Sequence, residues 1–198
     1  QMPLLIELNK IYRQKEQSFV ELLNKVRNNQ IGPEDFDQLN QRYIPGFQPL
    51  ADEKYITLTS HNNQAELINR QQLQKLTSSS FTYKADIEGE FSENTYPADA
   101  ELVLKEGAQV MFLKNDTVAK RYFNGKIGIV KSLDDAEIIV TSDGEDIHVL
   151  KEIWENSRYT LNRSDGKLEQ EVMGTFEQYP LRLAWAITIH KSQGLTFD

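Results

Sequence analysis

The residues best equipped for chemistry lie in Thr188-Ile189-His190-Lys191-Ser192-Gln193-Gly194-Leu195-Thr196, where six of nine side chains are polar and Trp185 stands in the apolar run just before them. Lys191 offers a compact positive charge. The hydroxyls of Thr188 and Ser192 and nearby main-chain N–H groups can donate to phosphate oxygens without adding charge. Gly194 lets the backbone come close to a ligand. That chemistry is nucleic-acid backbone binding. The plainer reading is a polar helix end, with His190 and Lys191 at the negative pole of the helix dipole. Composition alone leaves the two readings balanced.

Three further clusters invite the same question. Thr57-Leu58-Thr59-Ser60-His61-Asn62 sits where a strand should turn into a helix, and a helix start with hydroxyls can hold phosphate. Helix capping by Ser60, Asn62 or Asn63 explains it more simply. Tyr12-Arg13-Gln14 offers a planar guanidinium fork suited to a phosphate, or only a solvated helix face with Arg13 paired to Glu7 or Glu16. Residues of one loop, Lys114, Lys120, Arg121 and Lys126 with Tyr122 and Phe123, could grip a single strand by charge and stacking. For so short a run a solvated hairpin loop is the simpler account.

The bulk properties bound these readings. The chain has 198 residues, net charge −8 and no cysteine. Disulfides, thiol nucleophiles and cysteine-bound zinc are excluded. Absence of cysteine fits a reducing compartment, and a cytoplasmic location, nucleoid-associated if bacterial, is the expectation. No apolar run is long enough for a membrane helix. An acidic chain is a poor general coat for phosphates, so any nucleic-acid contact must be a local groove. Residues 175–198 are neutral, with two basic and two acidic side chains. The histidines, His61, His148 and His190, lie far apart, and no metal site is expected. No G-x-x-x-x-G-K-[ST], G-x-S-x-G or H-E-x-x-H occurs.

The elements that must position these residues are legible as an α/β fold. Helical spacing runs through residues 3–29, with Phe19, Leu22, Leu23 and Val26 as the second stripe. A short helix should follow from Pro33, turning Phe36, Leu39 and Tyr43 inward. Residues 54–59 read as a strand and residues 64–76 as a helix burying Ala65, Ile68, Leu73 and Leu76. From residue 81 the pattern becomes β, with strands expected at 81–87, 108–113, 126–130, 137–140 and 146–149. Asn124-Gly125, Asp143-Gly144 and Asp165-Gly166 are hairpin signals. Residues 105–165 have the length of an SH3-like barrel. The apolar run Leu181–Ile187 reads as buried strand or helix, which periodicity cannot decide; a helix over Ala184–Ser192, closed by Gly194, is favoured, with a strand starting at Leu195.

These blocks, taken in order, resemble the Pif-one/RecD-type helicases of superfamily 1. The run Tyr179-Pro180-Leu181-Arg182-Leu183-Ala184-Trp185-Ala186 through Thr196 is similar to their motif V, and Ile11-Tyr12-Arg13-Gln14 to their motif IV region. Leu58 to Asn62, with Ala65, Ile68-Asn69 and Leu73, resembles the block that follows. Gly107 to Met111 and Asn124 to Gly128 resemble the inserted barrel.

The resemblance implies part of a RecA-like P-loop-NTPase-type domain without Walker motifs. Its parts would be residues 1–104, an inserted SH3-like β-barrel with return segment at 105–174, and a truncated remainder at 175–198. It implies Arg13 as an arginine finger, Gln14, Gln193 and Gly194 at the nucleotide, and Thr59, His61, Asn62, Thr188, His190, Lys191 and Ser192 on single-stranded DNA. ATP and Mg²⁺ would be bound mainly by a first RecA-like domain, a partner within the same parent chain, and none is expected in this piece. The family's motif VI should follow residue 198. The implied whole is a 5′-to-3′ ATP-dependent DNA helicase acting as a monomer, and the piece alone should be inactive. A non-catalytic protein- or nucleic-acid-binding module built on the barrel is the alternative.

Overall fold

The computed structural model describes residue 6, residues 16–47, residue 49, residues 55–161 and residues 168–193. Two compact units divide the chain, Gln1–Pro49 and Leu50–Asp198. Among the described residues no helix is long and apolar enough to cross a membrane.

In the first unit, α1 (Gln17–Arg27) and α2 (Pro33–Asn40) are joined by a short connection. Asn29 takes a left-handed conformation with φ +55°, which ends α1. Pro33 opens α2, and the Asp35 carboxylate accepts from the Gly32 N–H at 2.8 Å. Lys25 reaches the same carboxylate at 2.7 Å and ties the helices together. Of the α1 stripe only Leu22 is buried. The expectation that Phe36, Leu39 and Tyr43 turn inward is overturned, since all three are exposed. Helices of 11 and 8 residues share too little surface to enclose a second apolar row.

The second unit opens with β1 (Thr57–Thr59) and α3 (Asn62–Lys75). Strands then follow as β2 (Ser80–Lys84), β3 (Asp86–Gly89), β4 (Glu101–Lys105), β5 (Gln109–Phe112), β6 (Ile127–Leu133), β7 (Ile138–Ser142) and β8 (Glu145–Val149). The last elements are β9 (Glu152–Leu161), β10 (Leu168–Gln178), β11 (Leu181–Leu183), β12 (Ala186–Thr188) and the one-turn helix α4 (Ile189–Ser192). β1 and β12 pair in parallel, and the other pairings are antiparallel.

The largest sheet has the order β11-β5-β6-β7-β8. Its apolar alternation builds the core: Val110, Phe112, Val130, Ile138, Val140, Ile147 and Leu181 are buried together. Leu73 of α3 and Leu102 and Leu104 of β4 enter the same cluster, so the helix that carries His61 and Asn62 at its start is anchored in it at the far end. Asp143 and Gly144 both have positive φ, +51° and +82°, the geometry of the tight hairpin joining β7 to β8. Gly128 has no room for a side chain, because a Cβ there would lie 2.3 Å from Val140 Cγ1.

Two expectations need correction, and one strand pair was not among them. The run at 81–87 is two strands, β2 and β3, broken at Ala85, whose N–H bonds to Ala100 O at 2.8 Å. The long β9–β10 pair was not foreseen, although its turn signal was. The helix expected over Ala184–Ser192 is instead strand β12 followed by the single turn α4. Thr57 N–H bonds to Trp185 O at 2.8 Å, and β-branched Ile187 and Thr188 pair with Leu58 and Thr59. A partner strand therefore decides what periodicity left open. Gly194 and the strand expected from Leu195 lie outside the described residues.

Candidate nucleic-acid interface

The parallel pairing of β1 with β12 sets Thr59 opposite Thr188. Two clusters separated by 128 residues in sequence thus meet at the carboxyl ends of adjacent strands. That end is where open α/β sheets bind ligands. From Thr59 the chain turns through Ser60 and His61 into α3, and from Thr188 it turns directly into α4. Thr59, His61, Asn62, Thr188, His190, Lys191 and Ser192 are therefore brought to one end of the strand pair.

Thr59 is buried, and its hydroxyl donates to His61 O at 3.0 Å, which shapes the turn. His61 is the N-cap of α3, but no side chain caps the helix. Ser60 Oγ lies 2.8 Å from His61 Nδ1 instead. Capping by Ser60, Asn62 or Asn63, the simpler account of this cluster, is not realised, and among the described residues no side chain is bonded to the first N–H groups of α3. Thr188 is buried, His190 is exposed, and Ser192 Oγ donates to Ile189 O at 2.7 Å. Gln193 N–H bonds to His190 O at 3.3 Å, closing the turn. Desolvation, and then the nearby Arg182, push the Lys191 ammonium below its ordinary pKa. Arg13, Gln14 and Gly194 lie outside the described residues.

Asn69 entered the sequence reading only as part of the resembling block, with no role of its own. It is buried on the inward face of α3, between Ala65 and Leu73. Its Nδ2 donates to Ala186 O at 2.8 Å, and its Oδ1 accepts from Ala186 N–H at 2.8 Å. This two-point clamp holds the start of β12 against α3. Gln109 does similar work one strand away, donating to Tyr55 O at 3.0 Å and Ala184 O at 2.9 Å. A polar residue on an otherwise apolar helical stripe was the available signal.

The basic and aromatic loop behaves differently. Tyr122 is buried and stacks on Phe112 with centroids 4.2 Å apart. Arg121 Nε donates to Asp116 at 2.7 Å. That bond and the N–H groups of Ala119, Arg121 and Val118 hold the Asp116 carboxyl well below the usual carboxylate range. Lys126 pairs with Asp143 at 3.1 Å, and Lys114 with Glu152 at 2.8 Å. The simpler account therefore prevails for Lys114, Arg121, Tyr122 and Lys126, while Lys120 and Phe123 are exposed.

A cleft of about 400 Å³ runs along α3 from Asn62 to Leu73, walled by β12, Asp99 and β4, with Arg182 and Lys191 in its lining. Among the described residues no three His, Asp or Glu side chains converge as a metal site would require.

No family model matches the chain. It is similar along its entire length to the human ATP-dependent DNA helicase PIF1, at 32% identity, and covers 30% of that protein. It is also similar to solved structures of Pif1 from Bacteroides. For the complex with ADP-AlF4 the TM-score is 0.84 at 40% identity, covering 96% of this chain and 43% of that one. For the form bound to single-stranded DNA the TM-score is 0.68 at 40% identity, covering 98% and 44%. The chain thus spans about a third to under half of the relatives it matches. With its sequence similar along its whole length and its fold matching over 96% of it, the chain belongs to the Pif1-like helicases of superfamily 1.

Proposed function

We propose that this chain is the distal motor half of an ATP-dependent, 5′-to-3′ DNA helicase, and that the β1–β12 strand ends hold single-stranded DNA. The observation that carries the reading is the pairing of Thr59 with Thr188, which gathers both polar clusters into one surface. Phosphate oxygens there would meet the hydroxyl of Thr188, the Lys191 ammonium, and the N–H groups that open α3, and the hydroxyl of Ser192 once it turns from Ile189 O. The printed description of a Bacteroides relative as bound to single-stranded DNA supports the same reading.

In this reading residues 1–104 and 175–198 form the second RecA-like domain, and residues 105–174 are an inserted SH3-like barrel with its return segment. The antiparallel run β5-β6-β7-β8 and its shared core support the barrel. Arg13 acts as the arginine finger, and Gln14, Gln193 and Gly194 lie beside the nucleotide. ATP and Mg²⁺ belong to a first RecA-like domain, which supplies the phosphate-binding loop absent from this sequence. The protein works as a monomer in the cytoplasm.

The test is Arg13→Ala in the full-length helicase. DNA-stimulated ATP turnover should fall by about 10³-fold or more, with nucleotide affinity largely kept, the signature of an interaction made in the transition state. Unchanged turnover refutes the role of Arg13. The isolated chain should show no ATP hydrolysis, and DNA-stimulated turnover by it would overturn the division of labour.

A further inference from the structure

The cleft beside α3 carries three cations and three carboxylates, and of these only Glu101 has an ion-pair partner among the described residues, Lys84 at 3.7 Å. Arg70, Arg182 and Lys191 line it, as do Glu66, Asp99 and Glu101. Among the described residues neither Arg182 nor Lys191 has a carboxylate within ion-pair distance. Arg182 lies on β11 between Leu181 and Leu183, whose side chains enter the core, so strand alternation turns it to the cleft face. There it comes close enough to Lys191 to oppose that residue's charge, while Asp99 and Glu66 pull more weakly the other way. Two neighbouring cations with no carboxylate at ion-pair distance are an unfavourable arrangement that a bound anion would relieve.

The lining also selects among anions. Three carboxylates around the same cleft would repel a polyphosphate, whereas a phosphodiester brings a single charge per unit. Ala65, Leu73 and Ile187 supply apolar surface for a sugar or base beside it. The cleft meets the strand-end cluster at Asn62, Thr188 and Lys191. We propose that Arg182 and Lys191 together hold one phosphodiester of single-stranded DNA, making Arg182 a binding residue outside the two strand-end clusters. The proposal rests on the strand-end reading above and extends it by one contact.

The test is binding of a fluorescent oligothymidylate to this chain, followed by anisotropy between about 50 and 200 mM salt, where each lost phosphate contact lowers the log–log salt slope by about 0.7. Arg182→Ala should show that reduction and about tenfold weaker binding at the lowest salt, in line with loss of one charge-assisted bond. Arg182→Lys should keep the slope and so separates lost charge from a folding defect. Arg158→Ala, on β9 away from the cleft, should leave slope and affinity unchanged. An unaltered slope for Arg182→Ala, with a reduced one for Lys191→Ala, overturns this proposal and leaves the strand-end reading standing. No binding by the unsubstituted chain at the lowest salt overturns both.

Discussion

Two regions of the second unit contain the same kinds of side chain and use them differently. In the loop between β5 and β6, Lys114, Arg121 and Lys126 each meet a carboxylate within 3.1 Å, and Tyr122 is locked against Phe112. At the β1–β12 strand ends and in the cleft beside them, Lys191 and Arg182 meet no carboxylate among the described residues, and the first turn of α3 has no side-chain cap. In sequence both regions read as basic residues among aromatic and polar neighbours. What separates them is whether the molecule already supplies the partners. A cation satisfied internally stabilises the fold, and one left without a partner is free to bind.

The strongest way to break this contrast is through the scaffold of the strand ends. Asn69→Leu removes both halves of the clamp on Ala186 and leaves a buried N–H and C=O without partners, at a cost of about 3 kcal/mol. Chemical denaturation should show that loss, together with weakened DNA binding, because β12 and α4 lose their register against α3. A stability loss with unaltered DNA affinity would mean that the clamp serves the fold alone.

A sharper comparison sets Lys191→Ala against Lys126→Ala. The first should weaken oligothymidylate binding about tenfold, roughly 1.4 kcal/mol. The second should leave binding within about twofold and lower only stability, since Lys126 is bonded to Asp143 and to Arg121 O. Equal losses of binding would erase the distinction between the regions.

Smaller still is Tyr83→Phe. Burial pushes the Tyr83 hydroxyl up to about 12, and its O–H donates to Asp134 O beneath the meander. Its removal should cost about 1 kcal/mol and leave DNA affinity unchanged.

The smallest effect is confined to acid. Because Asp116 titrates below the usual carboxylate range, its stabilisation is complete above the unfolded value of about 3.9 and is lost as pH falls through the folded one. The gap in denaturation midpoint between the native chain and Asp116→Asn should therefore be constant from about pH 7 to 5 and shrink below about pH 4. A gap that persists in acid would show that the Arg121 pairing is not its source.

Much of the fold was legible because its signals are local. The alternation in β5 to β8 and the Asp143-Gly144 hairpin follow from side-chain period and backbone sterics. The helix through Ala65 and Leu73 was equally plain. The segment at 184–188 was not, because a short apolar run carries no period of its own and β1, its partner, lies more than a hundred residues away. The same distance hid the site. Each polar cluster by itself was explained as well by a helix cap, and only the Thr59–Thr188 pairing makes them one surface. Arg182 stayed hidden for a related reason: strand alternation, not sequence proximity, turns it to the face that Lys191 shares.

Backbone amide chemical-shift mapping of the chain titrated with an oligothymidylate at low salt separates the two regions in one experiment. Perturbations should concentrate at residues 59–62, 182 and 188–192, with residues 114–126 and the strands β6 to β8 unmoved. Perturbations centred on residues 114–126, with the strand ends silent, would instead place the binding surface on the β5–β6 loop.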